Sequence, residues 1–276
     1  MKNLIPLFAL LFLVACQSTP PVADPARESA KYFSGQEGCF LLYNVKSKAF
    51  DRVIGDENCK KEYPACSTFK VPLAVMAFDA KALKDENVVL KWDGKKDDRE
   101  VANHDHNAKT WMSDSIVWFS QRLTKKMGAP KVQKYLDGFN YGNRDLKGGL
   151  TQAWLVRPSS NGPALKITAY DQVEFMKKLW ADQLPASPRA MKLARELTFL
   201  ETSPKGFQVN GKTGSNFYDD AKKVNFGWFV AHLQKGDQEL IAVANYRDLA
   251  PVTEVGYGGP RAKEIVKKIL SDEDLW

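Results

Sequence analysis

The sequence predicts an α+β fold: an antiparallel sheet flanked by helices, with an all-helical part inserted between its first and last strands. Strand-like segments at 38–54 and again within 206–247 enclose a mostly helical stretch that runs from Ser67 to about Lys178. The chain then closes on an amphipathic helix, apolar at Ile265, Val266, Ile269 and Leu270. At 276 residues it exceeds one small core, so one large domain or a two-part domain sharing a cleft is expected.

The first fifteen residues are a different material. Lys2 precedes an apolar run from Leu4 to Ala15, shaped like a secretory leader and too short to span a bilayer. It ends in Leu13-Val14-Ala15-Cys16, which looks like a bacterial lipobox: cleavage before Cys16 and lipidation of its thiol, with plain leader cleavage nearby as the alternative. The expected organisation is a signal peptide at 1–15, a lipidated tether at 16–29 and a folded domain at 30–276, its helical part at about 67–200. Gln17, where an aspartate would retain a lipoprotein in the inner membrane, points to an outer-membrane lipoprotein facing the periplasm. The anchor at Cys16 is then the membrane contact.

A formal charge of +7, with Lys and Arg spread along the chain and interleaved with Asp and Glu, describes a solvated basic surface and not a nucleic-acid groove. Export places Cys39, Cys59 and Cys66 in an oxidising compartment, where an odd count leaves one thiol free. The short loop Lys60–Ala65 favours pairing Cys59 with Cys66 over the two pairings that use Cys39.

Gly38 to Ile54 alternates apolar runs with the polar turn Lys46-Ser47-Lys48 and reads as a hairpin. Val71, Leu73, Ala74, Val75, Met76 and Phe78 make a buried helix, with Pro72 tolerable only in its first turn. Loops fall at Trp92–Asn107, Asn140–Gly149 and Arg157–Pro163. Thr168-Ala169-Tyr170-Asp171 caps a helix through Leu184, and Ser187-Pro188 opens another through Leu200. Strands at 206–212, 224–234 and 239–247 then form an antiparallel meander.

Ser67-Thr68-Phe69-Lys70 opens the buried helix. A serine three residues before a lysine puts a hydroxyl and an amine on one helix face, the layout of an activated nucleophile. Three further motifs follow in chain order: Ser115-Ile116-Val117, Tyr141-Gly142-Asn143 and Lys212-Thr213-Gly214. In the last of these the glycine lets a substrate lie against the backbone. His104-Asp105-His106 has no third ligand near by and reads as a polar loop, so no metal is expected.

Together these residues resemble the penicillin-recognising serine enzymes, and most closely the class D serine β-lactamases, over about residues 30 to 270. The class A pattern continues its second motif as Ser-Asp-Asn and uses a glutamate. Here Ser115 is followed by Ile116 and Val117, and the middle loop carries no obvious glutamate, as in class D. The resemblance implies β-lactam hydrolysis through an acyl-enzyme on Ser67, with Lys70 as base. It further implies that Lys70 adds carbon dioxide to become a carbamate, N6-carboxylysine, and so needs bicarbonate but no other cofactor.

Phe69, Val117 and Trp154 would wall that lysine, with the Trp154 indole N–H donating to the carbamate. Ser115 would relay a proton to the lactam nitrogen beside Lys212. Tyr141, Lys212, Thr213, Gly214, Ser215 and Arg261 would bind substrate, with Arg261 (or else Arg247) on its carboxylate. Backbone N–H groups of Ser67 and Ser215 would form the oxyanion hole. The rivals are a β-lactam sensor or a penicillin-binding peptidase, either of which stays acylated.

Overall fold

A computed structural model describes residues 25–219, 221, 223–251 and 258–276. The expected signal peptide and Cys16 lie outside the described residues. The chain runs α1 (Pro25–Tyr32), β1 (Gln36–Asn44), β2 (Ala49–Ile54), α2 (Asp56–Cys59), β3 (Tyr63–Pro64), a 3-10 turn (Cys66–Phe69), α3 (Lys70–Asp79) and a second 3-10 turn (Glu100–Ala102). It continues with α4 (Ala108–Ser113), α5 (Val117–Met127), α6 (Ala129–Phe139), β4 (Lys166–Ile167), α7 (Ala169–Trp180) and α8 (Pro188–Leu197). β5 (Phe199–Thr202), β6 (Gln208–Asp219), β7 (Val224–Lys235), β8 (Gln238–Asp248) and α9 (Gly258–Asp272) complete it.

Six strands form one sheet in the order β2-β1-β8-β7-β6-β5, with every pairing antiparallel. β1 lies against β8 from Gln36↔Asp248 to Asn44↔Leu240, so the two ends of the domain share the sheet while the helices sit between them in sequence. Both faces are covered. Along β1, Cys39, Leu41 and Tyr43 face the core shared with α3 and α7, whereas Phe40 and Leu42 face the core under α9. Burial on both sides explains why these strands read as nearly continuous apolar runs.

Helix α3 is buried on all sides from Lys70 to Phe78, which is why its sequence lacks a polar face. Pro72 sits in its first turn, where a missing N–H costs nothing. Thr168 and Asp171 cap α7 reciprocally, as their spacing predicts.

Several boundaries differ from the sequence expectation: α7 stops at Trp180 and not at Leu184, and the strand expected at 206–212 runs on to Asp219. The expected tether ends early, because α1 docks on α9: the Tyr32 hydroxyl donates to Asp272 at 2.8 Å, Arg52 pairs with Glu28, and Tyr32 and Phe33 are buried beneath. The helix expected to reach Leu200 stops at Leu197. The Gly211 N–H donates to the Thr198 carbonyl at 2.7 Å, and β5 pairs with the start of β6 instead.

The disulfide is a correction. Cys59 bonds to Cys39, not to Cys66, which stays free and buried. Gly55, at φ 68°, turns the chain back so that α2 lies on β1; Asn58 donates to the Gly38 carbonyl at 3.1 Å, and the two Cα atoms stand 5.0 Å apart.

Candidate active site

The 3-10 turn explains the spacing of the first motif. With three residues per turn, positions i and i+3 eclipse, so Ser67 and Lys70 stack, and Lys70 Nζ lies 3.2 Å from Ser67 Oγ. Ser67 is half-buried, reaching the solvent through a cleft of about 310 Å³. Lys70 is 1% exposed, and among the described residues no carboxylate pairs with it. Burial holds its amine well below the usual lysine range, and the neighbouring cations Lys212 and Arg99 push the same way. The buried rings of Phe69 and Trp154 pack on each other, 4.9 Å apart.

Cys66, at φ 50°, begins the turn. Its N–H donates to the Trp154 carbonyl at 2.9 Å and its thiol points to the Pro64 carbonyl at 3.4 Å. Burial pushes this thiol up to about 12, so it is inert beside the nucleophile.

The opposite wall is β6. Beyond Asn210 its outer edge has no strand partner among the described residues and faces the nucleophile turn. Gly214 makes that approach possible: a Cβ there would stand 3.1 Å from Cys66 Cβ, 3.2 Å from Trp228 Cβ and 3.3 Å from Thr68 Cγ2. Gly259 does the same for α9, since a Cβ would come within 2.8 Å of both Thr213 Cβ and Ser215 Oγ; its N–H instead donates to Ser215 Oγ at 2.9 Å.

Lys212 is 5% exposed and donates to the Thr213 carbonyl at 3.1 Å. Burial, then Arg99, lowers its pKa from 10.5 to about 8. Asn216 donates to the carbonyls of Leu155 and Val156, fixing the segment that brings Leu155 to the cleft.

The third wall is the corner between α4 and α5. Ser115 sits there at φ 58°, a left-handed backbone that costs a serine on the order of 1 kcal/mol. Ser115 and Val117 line the cleft together with Ser67, Thr213 and Ser215.

Two expected residues, Tyr141 and Arg261, lie elsewhere. Tyr141, expected to bind substrate, is fully buried behind the nucleophile, with its ring 6.0 Å from Phe69 and 5.2 Å from Phe175. Trp228 likewise packs behind, donating to the Pro64 carbonyl at 3.0 Å. Arg261, expected on the substrate carboxylate, turns away to Asp248 at 3.3 Å and over the Tyr246 ring, because the buried Asp248 carboxylate at the end of β8 draws it there. The weaker candidate, Arg247, pairs with Glu37.

The arginine on the cleft wall is Arg99. Its loop carried no motif, and its only signal was a cation in a polar stretch.

Comparison with known proteins adds the following. A model described as the penicillin-binding protein transpeptidase domain matches residues 36–271. Beta-lactamase OXA-1 of Escherichia coli is 35% identical over 239 residues, covering 83% of this chain and 84% of that protein. Beta-lactamase OXA-10 of Pseudomonas aeruginosa is 29% identical, covering 97% and 98%. Among solved structures, class D beta-lactamase BAT-2 superposes with a TM-score of 0.78 at 27% identity over 92% of this chain and 99% of that one. The class D beta-lactamase OXA-427 does so at 0.74 and 33%, over 86% and 98%.

Proposed function

This chain belongs to the penicillin-binding transpeptidase family and, within it, to the class D serine β-lactamases; from that premise we propose that it hydrolyses β-lactams by an acyl-enzyme on Ser67 with a modified Lys70 as base. The observation that carries this reading is Lys70 itself: buried, without a carboxylate, within reach of Ser67 Oγ and pushed toward its neutral amine.

A neutral amine adds carbon dioxide and releases a proton, becoming a carbamate that supplies a base for the hydrolytic water. The pocket's chemistry fits the group. The same cations that disfavour an ammonium at Lys70, Lys212 and Arg99, favour an anion there. Apolar rings from Phe69 and Trp154 keep bulk water away.

In acylation Ser67 Oγ loses its proton toward Lys70 and bonds to the lactam carbonyl carbon. Donors at the N–H groups of Ser67 and Ser215 receive the oxyanion. The C–N bond then breaks, and the nitrogen takes a proton through Ser115, which lines the same cleft. Charged Lys212, with Thr213, holds the substrate carboxylate. In deacylation water adds to the ester carbonyl, its proton passing to the Lys70 side and from there to Ser67 Oγ as the ester C–O bond breaks.

Export and lipidation at Cys16 complete the proposal, and the Cys39–Cys59 disulfide supports passage into an oxidising compartment. Replacing Cys16 with Ala should release soluble enzyme; a wild type that is fully soluble and without a lipid mass shift contradicts the anchor. For the chemistry, a time course of intact mass after mixing with a penicillin tests the reading. A transient adduct on the Ser67 peptide with stoichiometric excess of opened product is expected. An adduct that lasts for hours would instead identify a sensor or a peptidase.

A further inference from the structure

Helix α4 ends at Ser113 and α5 begins at Val117, leaving Asp114, Ser115 and Ile116 to turn the corner. Carbonyls at such a corner have no onward helical N–H to meet them. Arg99 meets two: one guanidinium nitrogen donates to the Asp114 carbonyl at 3.1 Å and the other to the Ser115 carbonyl at 3.3 Å. The arginine is itself held. Its backbone N–H donates to Asp97 Oδ1 at 2.9 Å, and the turn that follows is tied to α5 by the Trp118 indole N–H on the Ala102 carbonyl at 2.8 Å.

From this geometry we infer that Arg99 is a positioning residue for the Ser115 hydroxyl, its planar fork locking the left-handed corner that aims the hydroxyl into the cleft. The inference rests on the reading of Ser115 as the proton relay. A serine at φ 58° relaxes toward right-handed backbone when nothing over-determines it, and that rotation carries Cβ and the hydroxyl away. Two carbonyls bridged by one planar group need a fork, which a lysine ammonium does not supply. The guanidinium also adds positive charge near Lys70 and Lys212.

The test is a cycle of Arg99→Lys, which keeps the positive charge near Lys70, Ser115→Ala and the double variant, with Arg99→Met alongside, read by single-turnover acylation at saturating penicillin. Arg99→Met should slow acylation roughly tenfold while substrate Kd stays within about twofold. Arg99→Lys should slow it nearly as much, and the double variant should be no slower than Ser115→Ala alone. If Arg99→Met does not fold, the cycle of Arg99→Lys with Ser115→Ala stands without it. Three results overturn the inference: wild-type acylation in Arg99→Lys, a loss confined to Kd, or full additivity with Ser115→Ala. A Ser115→Ala enzyme that acylates normally would remove the relay reading beneath it, a failure distinct from additivity.

Discussion

The helical wall and the strand wall of the cleft each bury one lysine, Lys70 at 1% exposure and Lys212 at 5%, and neither has an ion-pair partner among the described residues. Yet they are set for opposite work. Lys70 has only the Ser67 hydroxyl to bond and two cations near by, so its ammonium is strongly disfavoured. Lys212 has a backbone carbonyl and the Thr213 hydroxyl as acceptors and is lowered only to about 8, which leaves it charged at neutral pH. Burial alone does not assign a role; what remains within hydrogen-bond reach does. In the proposed mechanism Lys70 is the amine available for chemistry and Lys212 the ammonium available for binding.

Breaking the helical half should have the larger effect. Lys70→Ala is expected to lose roughly a thousandfold or more in steady-state turnover, and the acyl-enzyme it forms slowly on Ser67 should persist in intact mass spectra. Near wild-type hydrolysis by this variant would contradict the assignment while leaving Ser67 as nucleophile.

The strand half should show in binding and in pH. Lys212 carries its charge below about 8, so kcat/KM should fall as pH rises through that value and Lys212→Met should lack this limb, having lost about a hundredfold at neutral pH. Stability should move the other way. Between about 8 and the ordinary 10.5 the unfolded chain binds the proton that the folded Lys212 has released, so this group's contribution to stability is full above the upper value and lost as pH falls through the lower. Chemical denaturation of wild type and Lys212→Met across that window checks the sign.

The smallest effect on the cleft should come from Cys59→Ser. The disulfide spans 20 positions, for which chain entropy gives about 3 kcal/mol of stability. The melting temperature should drop while the pH profile of kcat/KM stays unchanged. Non-reducing peptide mapping of the wild type should return Cys39 joined to Cys59 and Cys66 as a free thiol.

The legible part of this site was its local part. Ser67 and Lys70 meet because one helical turn brings i to i+3, and the glycine of Lys212-Thr213-Gly214 marks the strand that can approach them. Interactions that join distant segments left no such trace. Cys39 and Cys59 meet only because α2 folds back onto β1, and short loop length misdirected the pairing to Cys66. Tyr141 belongs to a motif that positions backbone, so its phenol is free to serve as core against Phe69 and Phe175. Arg261 was placed correctly near the start of α9, but which way its side chain faces depends on Asp248, at the end of β8. Arg99 shows the converse, a loop residue with no periodic signal whose partners are two carbonyls more than a dozen positions away.

The central claim, a carbamate on Lys70, is tested most directly by carbon-13 NMR of the enzyme equilibrated with labelled bicarbonate. The account predicts one carbamate resonance that is absent from Lys70→Ala, that fades at mildly acid pH in step with activity, and that returns with activity when bicarbonate is restored. A fully active enzyme with no such resonance, and with turnover indifferent to bicarbonate, would contradict it.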